Sequence, residues 1–278
     1  MRKVLLAAAV LTSAVAVAPA AACTAFCAGV KGTVLVGNNE DYGNPRARMW
    51  FVPGKPGEYG RMLLGFDNGY PQGGMNEKGL WFDGFSAPRL EVAPTPEKEI
   101  YSGSIAEKAL AECATVDEAV RLYEKYYRGD RSVILFADRT GAAAAIEPEA
   151  VVCKQDWYFV QTNFYRSRVA AGTEKCERFK IATRMLEESR GTLSVDLFRR
   201  ILAATHQEGG ATTQYSNIHD LNARVMYLYH FHNYENVVRI DLADELRKGA
   251  HKVEIPALFP RTHAAEAHAV WYEAQQKK

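Results

Sequence analysis

Short apolar runs bounded by turn residues predict β-strands in the first, middle and last parts of the chain. Two of the middle runs flank a turn at residues 138–141, which is the pattern of a β-hairpin. A tight turn within residues 73–82 is predicted to lead into another strand. The remaining strands are predicted at residues 24–29, 33–36, 61–66, 132–137, 142–146, 157–162, 213–218, 224–231 and 236–240.

Apolar residues at helical spacing predict two pairs of helices between these strands. Thr115 and Glu118 form a capping box for the second helix, which ends at Gly129. Residues 263–278 fit either a weak helix or a loose tail. Groups of strands and helices that alternate in this way are typical of an α+β fold with mainly antiparallel pairing. The four helices are predicted at residues 105–113, 115–129, 176–189 and 195–204.

A polar cluster follows the second strand. Residues 37–42 read Gly-Asn-Asn-Glu-Asp-Tyr, which a central strand would not carry without a reason. They are interpreted either as a turn or as functional groups at the end of the strand.

The first 22 residues have the pattern of a signal peptide. Arg2 and Lys3 form a basic start, residues 4–17 form an apolar core, and Pro19 precedes three alanines. We therefore expect residues 1–22 to be removed and residues 23–278 to form a single domain that is secreted or periplasmic. No later segment approaches the roughly 20 apolar residues that a membrane-spanning helix needs.

Cleavage after Ala22 would leave Cys23 with both a thiol and a free α-amine. A thiol titrates near ~8.5 and an α-amine near ~7.8, so at neutral pH part of the amine can accept the thiol proton. Cys23 is therefore a candidate nucleophile with its own base. The alternative is a lipoprotein, in which Cys23 would be acylated and would anchor the chain. Lipoprotein sites usually carry an aliphatic residue such as leucine where Ala20 stands.

Composition points to a small-molecule partner. The formal net charge is +1, and no run of one sign is long enough to predict binding to nucleic acid or an anionic membrane. Export permits disulfides, and an odd count of five cysteines leaves at least one unpaired. Cys23 is the preferred free thiol, with Cys113 as an alternative on the apolar side of a helix. The sequence does not give the pairing or the oligomeric state, and a homo-oligomer is one option.

Five segments, taken in order, resemble the choloylglycine hydrolase family, which includes bile salt hydrolases and penicillin V acylases. The match is dense up to about residue 88 and thinner up to about residue 242. The resemblance implies a four-layer αββα sandwich and an N-terminal nucleophile hydrolase that cleaves linear amide C–N bonds without a cofactor. The matching segments are Cys23-Thr24 and residues 37–41, 75–80, 162–163 and 213–216.

The resemblance also implies roles for individual residues. Cys23 stands at the nucleophile, Asp41 at the carboxylate that holds the α-amine, and Asn163 at a side-chain donor to the oxyanion. Asn39 and Ser86 are expected to contribute to substrate binding. The alternatives that carry no function are a turn aspartate for Asp41 and a loop asparagine for Asn163.

Three departures from the family pattern limit the substrate prediction. Asn38 stands where the family often has arginine, Ser86 stands where it has a second asparagine, and no arginine precedes Thr213. These departures argue against thiol activation by arginine and against bile salt specificity, and they favour a distant acylase branch of the family over a bile salt hydrolase. Asn76 is interpreted as a turn residue.

Two further groups of residues are candidates for a metal site and for an acyl pocket. His230 and His232 would face the same way on a strand, yet no third metal ligand with suitable spacing is evident, so no metal is predicted. A cluster of aromatic residues is expected either to line an acyl pocket or to pack in the core. Its members are Trp50, Phe51, Trp81, Phe82 and Phe85.

The sequence thus predicts an acylase that acts on small N-acyl amides through Cys23. An acyltransferase with the same chemistry and a lipid-anchored binding protein without catalysis are the alternatives.

Overall fold

The computed structural model describes residues 23–92, 96–129 and 132–277. The signal peptide predicted at residues 1–22 lies outside them. The strands are β1 (Thr24–Val30), β2 (Thr33–Asp41), β3 (Ala47–Val52), β4 (Arg61–Phe66), β5 (Pro71–Asn76), β6 (Trp81–Ser86), β7 (Ser132–Ala137), β8 (Ala143–Ile146), β9 (Val151–Cys153), β10 (Tyr158–Gln161), β11 (Thr213–Asp220), β12 (Val225–His230), β13 (Asn233–Asp241) and β14 (His251–Glu254). The helices are α1 (Ile105–Glu112), α2 (Val116–Glu124), α3 (Glu177–Glu188), α4 (Val195–Thr205), α5 (Leu242–Arg247) and α6 (His263–Gln276).

The described strands form two antiparallel sheets. The first has six strands in the order β10-β1-β2-β11-β12-β13. The second has eight strands in the order β14-β3-β4-β5-β6-β7-β8-β9. In the first sheet, the start of β1 pairs with the far end of β2, so that Thr24 lies opposite Asn39. This register brings Cys23 next to the polar cluster of β2.

The two sheets pack face to face, with a helix pair on each outer side. Alternate residues of β1 and β2 enter the core between the sheets, among them Ala25 and Val36. On the other face of the first sheet, Phe26 packs against α3 and α4. On the outer face of the second sheet, Phe82 packs against α1 and α2. The predicted α+β fold with an αββα sandwich is confirmed.

The polar cluster is part of a strand and not a turn. β2 continues through Asn38, Asn39 and Glu40 to Asp41, and all four residues are buried. The prediction that the strand ends at Val36 was wrong because burial of polar groups on both faces cannot be read from an apolar pattern. The strands β3, β5, β9 and β14 and the helix α5 were not predicted, and β5 includes residues 73–76 of the predicted turn. The helix α2 ends at Glu124 and not at Gly129, and residues 263–276 form the helix α6.

No helix in the described residues is long and apolar enough to cross a membrane. All five cysteines lie within the described residues, and none of them forms a disulfide there. Cys23, Cys27 and Cys113 are buried, whereas Cys153 is exposed.

Asn76 joins the β5–β6 turn to the end of α1. Its side-chain oxygen accepts hydrogen bonds from the backbone N–H groups of Lys78 and Leu80, both at 3.0 Å. Its amide nitrogen donates to the carbonyls of Leu110 at 2.7 Å and Cys113 at 2.8 Å. Because Asn76 is fully buried, these four bonds replace water for groups that cannot reach it.

We therefore expect Asn76→Ala to lower the free energy of unfolding by about 2–4 kcal/mol, since it leaves buried polar groups without partners. Urea unfolding measures this loss. The control is Asn68→Ala, because Asn68 is exposed and accepts one bond from the Tyr70 N–H. That variant should stay within about 0.5 kcal/mol of the parent. Equal unfolding midpoints for the two variants would contradict the account.

Candidate active site

Cys23 is one of the residues that line a cavity, whose wall also includes residues of β6 and of the helices α1 and α2. Its side chain is 3% exposed and belongs to the core between the sheets, together with Ala25 and Cys27 on alternate positions. The cavity has a volume of about 500 Å³, and both Cys23 and Glu40 line it. The thiol can therefore meet a small molecule that enters the cavity.

Aromatic side chains form much of the cavity wall. Phe82 and Phe85 line the cavity, which agrees with one of the two alternatives expected for the aromatic cluster. Phe51 and Trp81 are instead packed in the core between the sheets, and Trp50 packs against the α1–α2 layer. The other aromatic lining residues are Tyr42, Phe66, Tyr70, Tyr101, Tyr123 and Tyr127.

Glu40 is the acidic side chain beside the thiol. The Cys23 thiol donates to Glu40 Oε1, with 3.6 Å between Sγ and the oxygen. The two residues meet because alternation along β2 directs Glu40, like Val34 and Val36, to the face that Cys23 occupies on β1. The other oxygen, Oε2, is buried and has no hydrogen-bond partner among the described residues.

A second buried carboxyl group adds to this acidic environment. Asp83 on β6 is 1% exposed, and its Oδ1 accepts from the Gly84 N–H at 2.7 Å. Burial, with the nearby charge of Asp41, raises the pKa of Glu40 to about 8. Burial and the charge of Glu40 raise the pKa of Asp83 well above its usual range. Burial and these carboxyl groups also raise the pKa of the Cys23 thiol. In this environment the uncharged forms of all three groups are favoured.

Asp41 lies on the opposite face of the first sheet, toward α3. Its Oδ1 accepts a hydrogen bond from the Thr213 hydroxyl, and its Oδ2 lies 3.5 Å from Arg178 Nη1. Burial raises the pKa of Asp41 to about 8, although the Thr213 bond and the Arg178 charge act in the opposite direction. The start of β1 is therefore flanked by carboxyl groups on both faces of the sheet.

Arg178 links the predicted residues to one another. Its Nη1 donates to the Cys23 carbonyl at 2.7 Å and to Thr24 Oγ1 at 2.6 Å. Its Nη2 donates to Asn163 Oδ1 at 3.2 Å. One guanidinium thus holds Cys23, Asp41 and Asn163 in a single network, which a planar group with five donors can do. No sequence pattern indicates this role, because Arg178 comes from a helix 155 positions away from Cys23.

Asn163 lies directly beside Ser86. Its Nδ2 donates to the Ser86 carbonyl at 2.8 Å. Ser86 lines the Cys23 cavity, whereas Asn163 lines a neighbouring pocket together with Arg178. The structure therefore brings Cys23, Asp41, Asn163 and Ser86 into one region.

Asn39 is not part of this region. It lies on the face of the first sheet that packs against the helices, and its Nδ2 donates to the Leu202 carbonyl at 3.0 Å and to Thr205 Oγ1 at 3.2 Å. The Ser216 hydroxyl donates to its Oδ1 at 2.6 Å. These contacts give Asn39 a structural role at the end of α4, not the expected contact with substrate.

Three residues outside the cavity could hold a metal ion. Ligand atoms of His206, Glu208 and His232 lie within 4.8 Å of one another, and this group includes one histidine of the pair noted in the sequence. His230 is not part of it, because β12 ends at His230 and His232 follows in a turn with a φ of 62°. Glu208 has 76% of its side chain exposed, so the group lies at the surface. It has no place among the residues that line the Cys23 cavity.

Because Arg178 donates hydrogen bonds to the Cys23 carbonyl, Thr24 and Asn163 beside buried Asp41, we expect Arg178→Gln to lower the free energy of unfolding by about 2–4 kcal/mol. Its side chain is 14% exposed, and that of Asp41 is fully buried. Arg178→Lys should recover less than half of the loss, since an ammonium cannot bridge these acceptors in the same way. Denaturant unfolding at pH 7 measures both. The control is Arg184→Gln on the same helix, where 67% of the side chain is exposed. A loss no greater than that of the control would show that the network does not stabilise the fold.

Comparisons with known proteins show which fold this is. No protein-family model matches the chain. No curated protein matches it either. Among solved structures, penicillin V acylase from Agrobacterium tumefaciens has a TM-score of 0.67 at 16% identity, over 84% of this chain and 91% of that one. A variant of conjugated bile acid hydrolase from Clostridium perfringens has a TM-score of 0.66 at 17% identity, over 87% of this chain and 99% of that one.

A third similar structure comes from an animal. The Caenorhabditis elegans ortholog of N-acylethanolamine-hydrolyzing acid amidase has a TM-score of 0.56 at 16% identity, and the match covers 83% of this chain and all of that one (100%). At these identities the likeness concerns the fold. The chain shares its αββα sandwich fold with these three proteins.

Proposed function

We propose that this protein hydrolyses the amide C–N bond of small N-acyl compounds, with Cys23 as its nucleophile and mature N-terminus. The observation that carries the proposal is that Cys23 lines a cavity of about 500 Å³. The fold shared with an acylase and two amide hydrolases supports the same chemistry. In line with the leader, the mature enzyme is secreted or periplasmic.

The proposed reaction uses the two functional groups of one residue. The Cys23 thiol attacks the carbonyl carbon as its proton passes to the α-amine. The C–N bond breaks when the resulting ammonium returns that proton to the leaving amine. Water then hydrolyses the thioester and frees the acid. Asp41 and Arg178 hold the start of β1 in place, because Arg178 binds both the Cys23 carbonyl and Asp41.

Asn163 is the proposed side-chain donor to the oxyanion. Its Nδ2 donates to the carbonyl of Ser86, a residue that lines the Cys23 cavity, at 2.8 Å. Its oxygen accepts from Arg178, which fixes the direction of the amide. A donor fixed in this way before the reaction can lower the barrier by about 3 kcal/mol.

The cavity favours an apolar acyl group. Phenylalanine and tyrosine rings form much of its wall, and Cys23 lines the same cavity. An acyl chain or ring that fills this space would place its carbonyl next to the thiol, and burial of its apolar surface would contribute about 25 cal/mol per Å². The amine part of the substrate would lie toward the cavity mouth.

The second cysteine of β1 lacks the features required of the nucleophile. Cys27 lies in the interior of the strand, and burial raises the pKa of its thiol to about 12. Cys27 also does not line the cavity. The two residues, four positions apart, thus form a natural pair of test and control.

We expect Cys23→Ala to abolish amide hydrolysis, because it removes the thiol that forms the thioester. Cys27→Ala should retain activity within about threefold, since it deletes one buried atom away from the reaction. Turnover of a panel of N-acyl amides that includes penicillin V measures both, and circular dichroism confirms that both variants fold. Equal loss of turnover in two folded variants would show that the nucleophile is elsewhere. Full activity of Cys23→Ala would exclude the proposed chemistry.

A further inference from the structure

Glu40 is a buried carboxyl group with one oxygen on the thiol and the other without a partner. Its side chain is 3% exposed and lines the cavity with Cys23. Oε1 accepts from the thiol at 3.6 Å, and Oε2 has no hydrogen-bond partner among the described residues. A buried polar atom of this kind costs about 1–3 kcal/mol. Such a cost suggests that a ligand supplies the missing hydrogen bond.

The position of the thiol determines which substrate atom could form a hydrogen bond with Oε2. A carbonyl carbon attacked by Cys23 Sγ carries its oxygen one bond away, next to the sulfur. Because the two oxygens of one carboxyl group are neighbours, Oε2 lies within reach of that same region when Oε1 is at the thiol. The substrate oxygen acquires negative charge during the attack, so it accepts a hydrogen bond and repels a carboxylate.

We propose that Glu40, as a neutral carboxylic acid, donates a hydrogen bond from Oε2 to the substrate carbonyl oxygen that becomes the oxyanion. The proposal rests on the proposed function of Cys23 and adds a catalytic residue to it. In the step concerned, the S–C bond forms and the carbonyl π electrons move to oxygen. The thiol proton goes to the α-amine, and Glu40 keeps its own proton throughout.

Burial, and after it the charge of Asp41, keeps Glu40 protonated at neutral pH. Asp41 lies next to it on β2 and Asp83 faces it from β6, while Arg178 on α3 binds Asp41. Tyr215 on β11 is also buried here, and burial together with Glu40 raises its pKa. With a pKa of about 8, Glu40 is neutral below that pH and ionised above it. A carboxyl group held neutral in this way can donate a hydrogen bond at pH 7.

Two substitutions at Glu40 distinguish the loss of its hydrogen-bond donor from a change in its charge. Glu40→Leu removes the donor and should lower kcat at pH 7 by about 10²–10³-fold. Glu40→Gln has nearly the same shape and a neutral N–H donor, so its kcat should stay within about tenfold of the parent.

In the parent, kcat/KM should fall as pH rises above about 8 because Glu40 ionises. In Glu40→Gln this part of the decline should be absent. The control is Glu188→Gln, at an exposed glutamate on α3, which should keep the parent profile.

Alkylation of the Cys23 thiol by iodoacetamide tests the contact without a substrate. Peptide mass spectrometry follows Cys23 alone, since Cys153 is exposed and would react as well. Burial and, after it, the charge of Glu40 raise the pKa of the thiol, so Glu40→Gln should speed alkylation at pH 9. A variant with a structural defect would show lower turnover without this faster alkylation at pH 9.

The outcomes distinguish the two proposals. Full turnover in Glu40→Leu would overturn the role of Glu40 while leaving Cys23 as the nucleophile. The same holds if Glu40→Gln loses as much turnover as Glu40→Leu and keeps the parent pH profile. Unchanged alkylation in Glu40→Gln would overturn the contact between Glu40 and the thiol. A parent protein that hydrolyses no amide would overturn the proposed function, and the role of Glu40 with it.

Discussion

The burial of several carboxyl groups around one thiol is the constraint on which the site depends. Glu40 and Asp83 lie in the space between the sheets, and Asp41 lies on the outer face of the same strand as Glu40. Arg178 balances Asp41, but neither Glu40 nor Asp83 forms an ion pair within the described residues. Burial of such groups is tolerated when they are protonated or when a positive charge joins them. A free α-ammonium on Cys23 would bring one positive charge to this region.

The strand β2 divides these functions between two faces of the sheet. Glu40 faces the cavity and the thiol, whereas Asn39 and Asp41 face the helices. The helix side holds the start of β1 through Arg178, and the inner side presents the thiol to the cavity. Because strand pairing fixes the register of β1 against β2, both faces are positioned by backbone hydrogen bonds rather than by flexible loops.

The sequence predicted most of the fold but only part of the candidate site. Hydrophobic patterning located most strands and both helix pairs, since each presents an apolar face to one of three cores. It failed at residues 37–41, where buried polar side chains look like a turn. The family resemblance placed Asn39 near substrate, although alternation along a strand directs it away from Glu40. Arg178 could not be found, because tertiary packing of α3 brings it to Cys23.

The central claim is that Cys23 provides both the nucleophile and the base, and one added residue tests it directly. A chain that carries one extra residue ahead of Cys23, protected from trimming and confirmed by intact mass, has an amide in place of the α-amine and keeps the thiol. Its turnover of N-acyl amides should be about 10²–10⁴-fold lower than that of the chain that begins at Cys23, the loss typical of a missing general acid–base group. Full turnover by the extended chain would show that the α-amine is not the base.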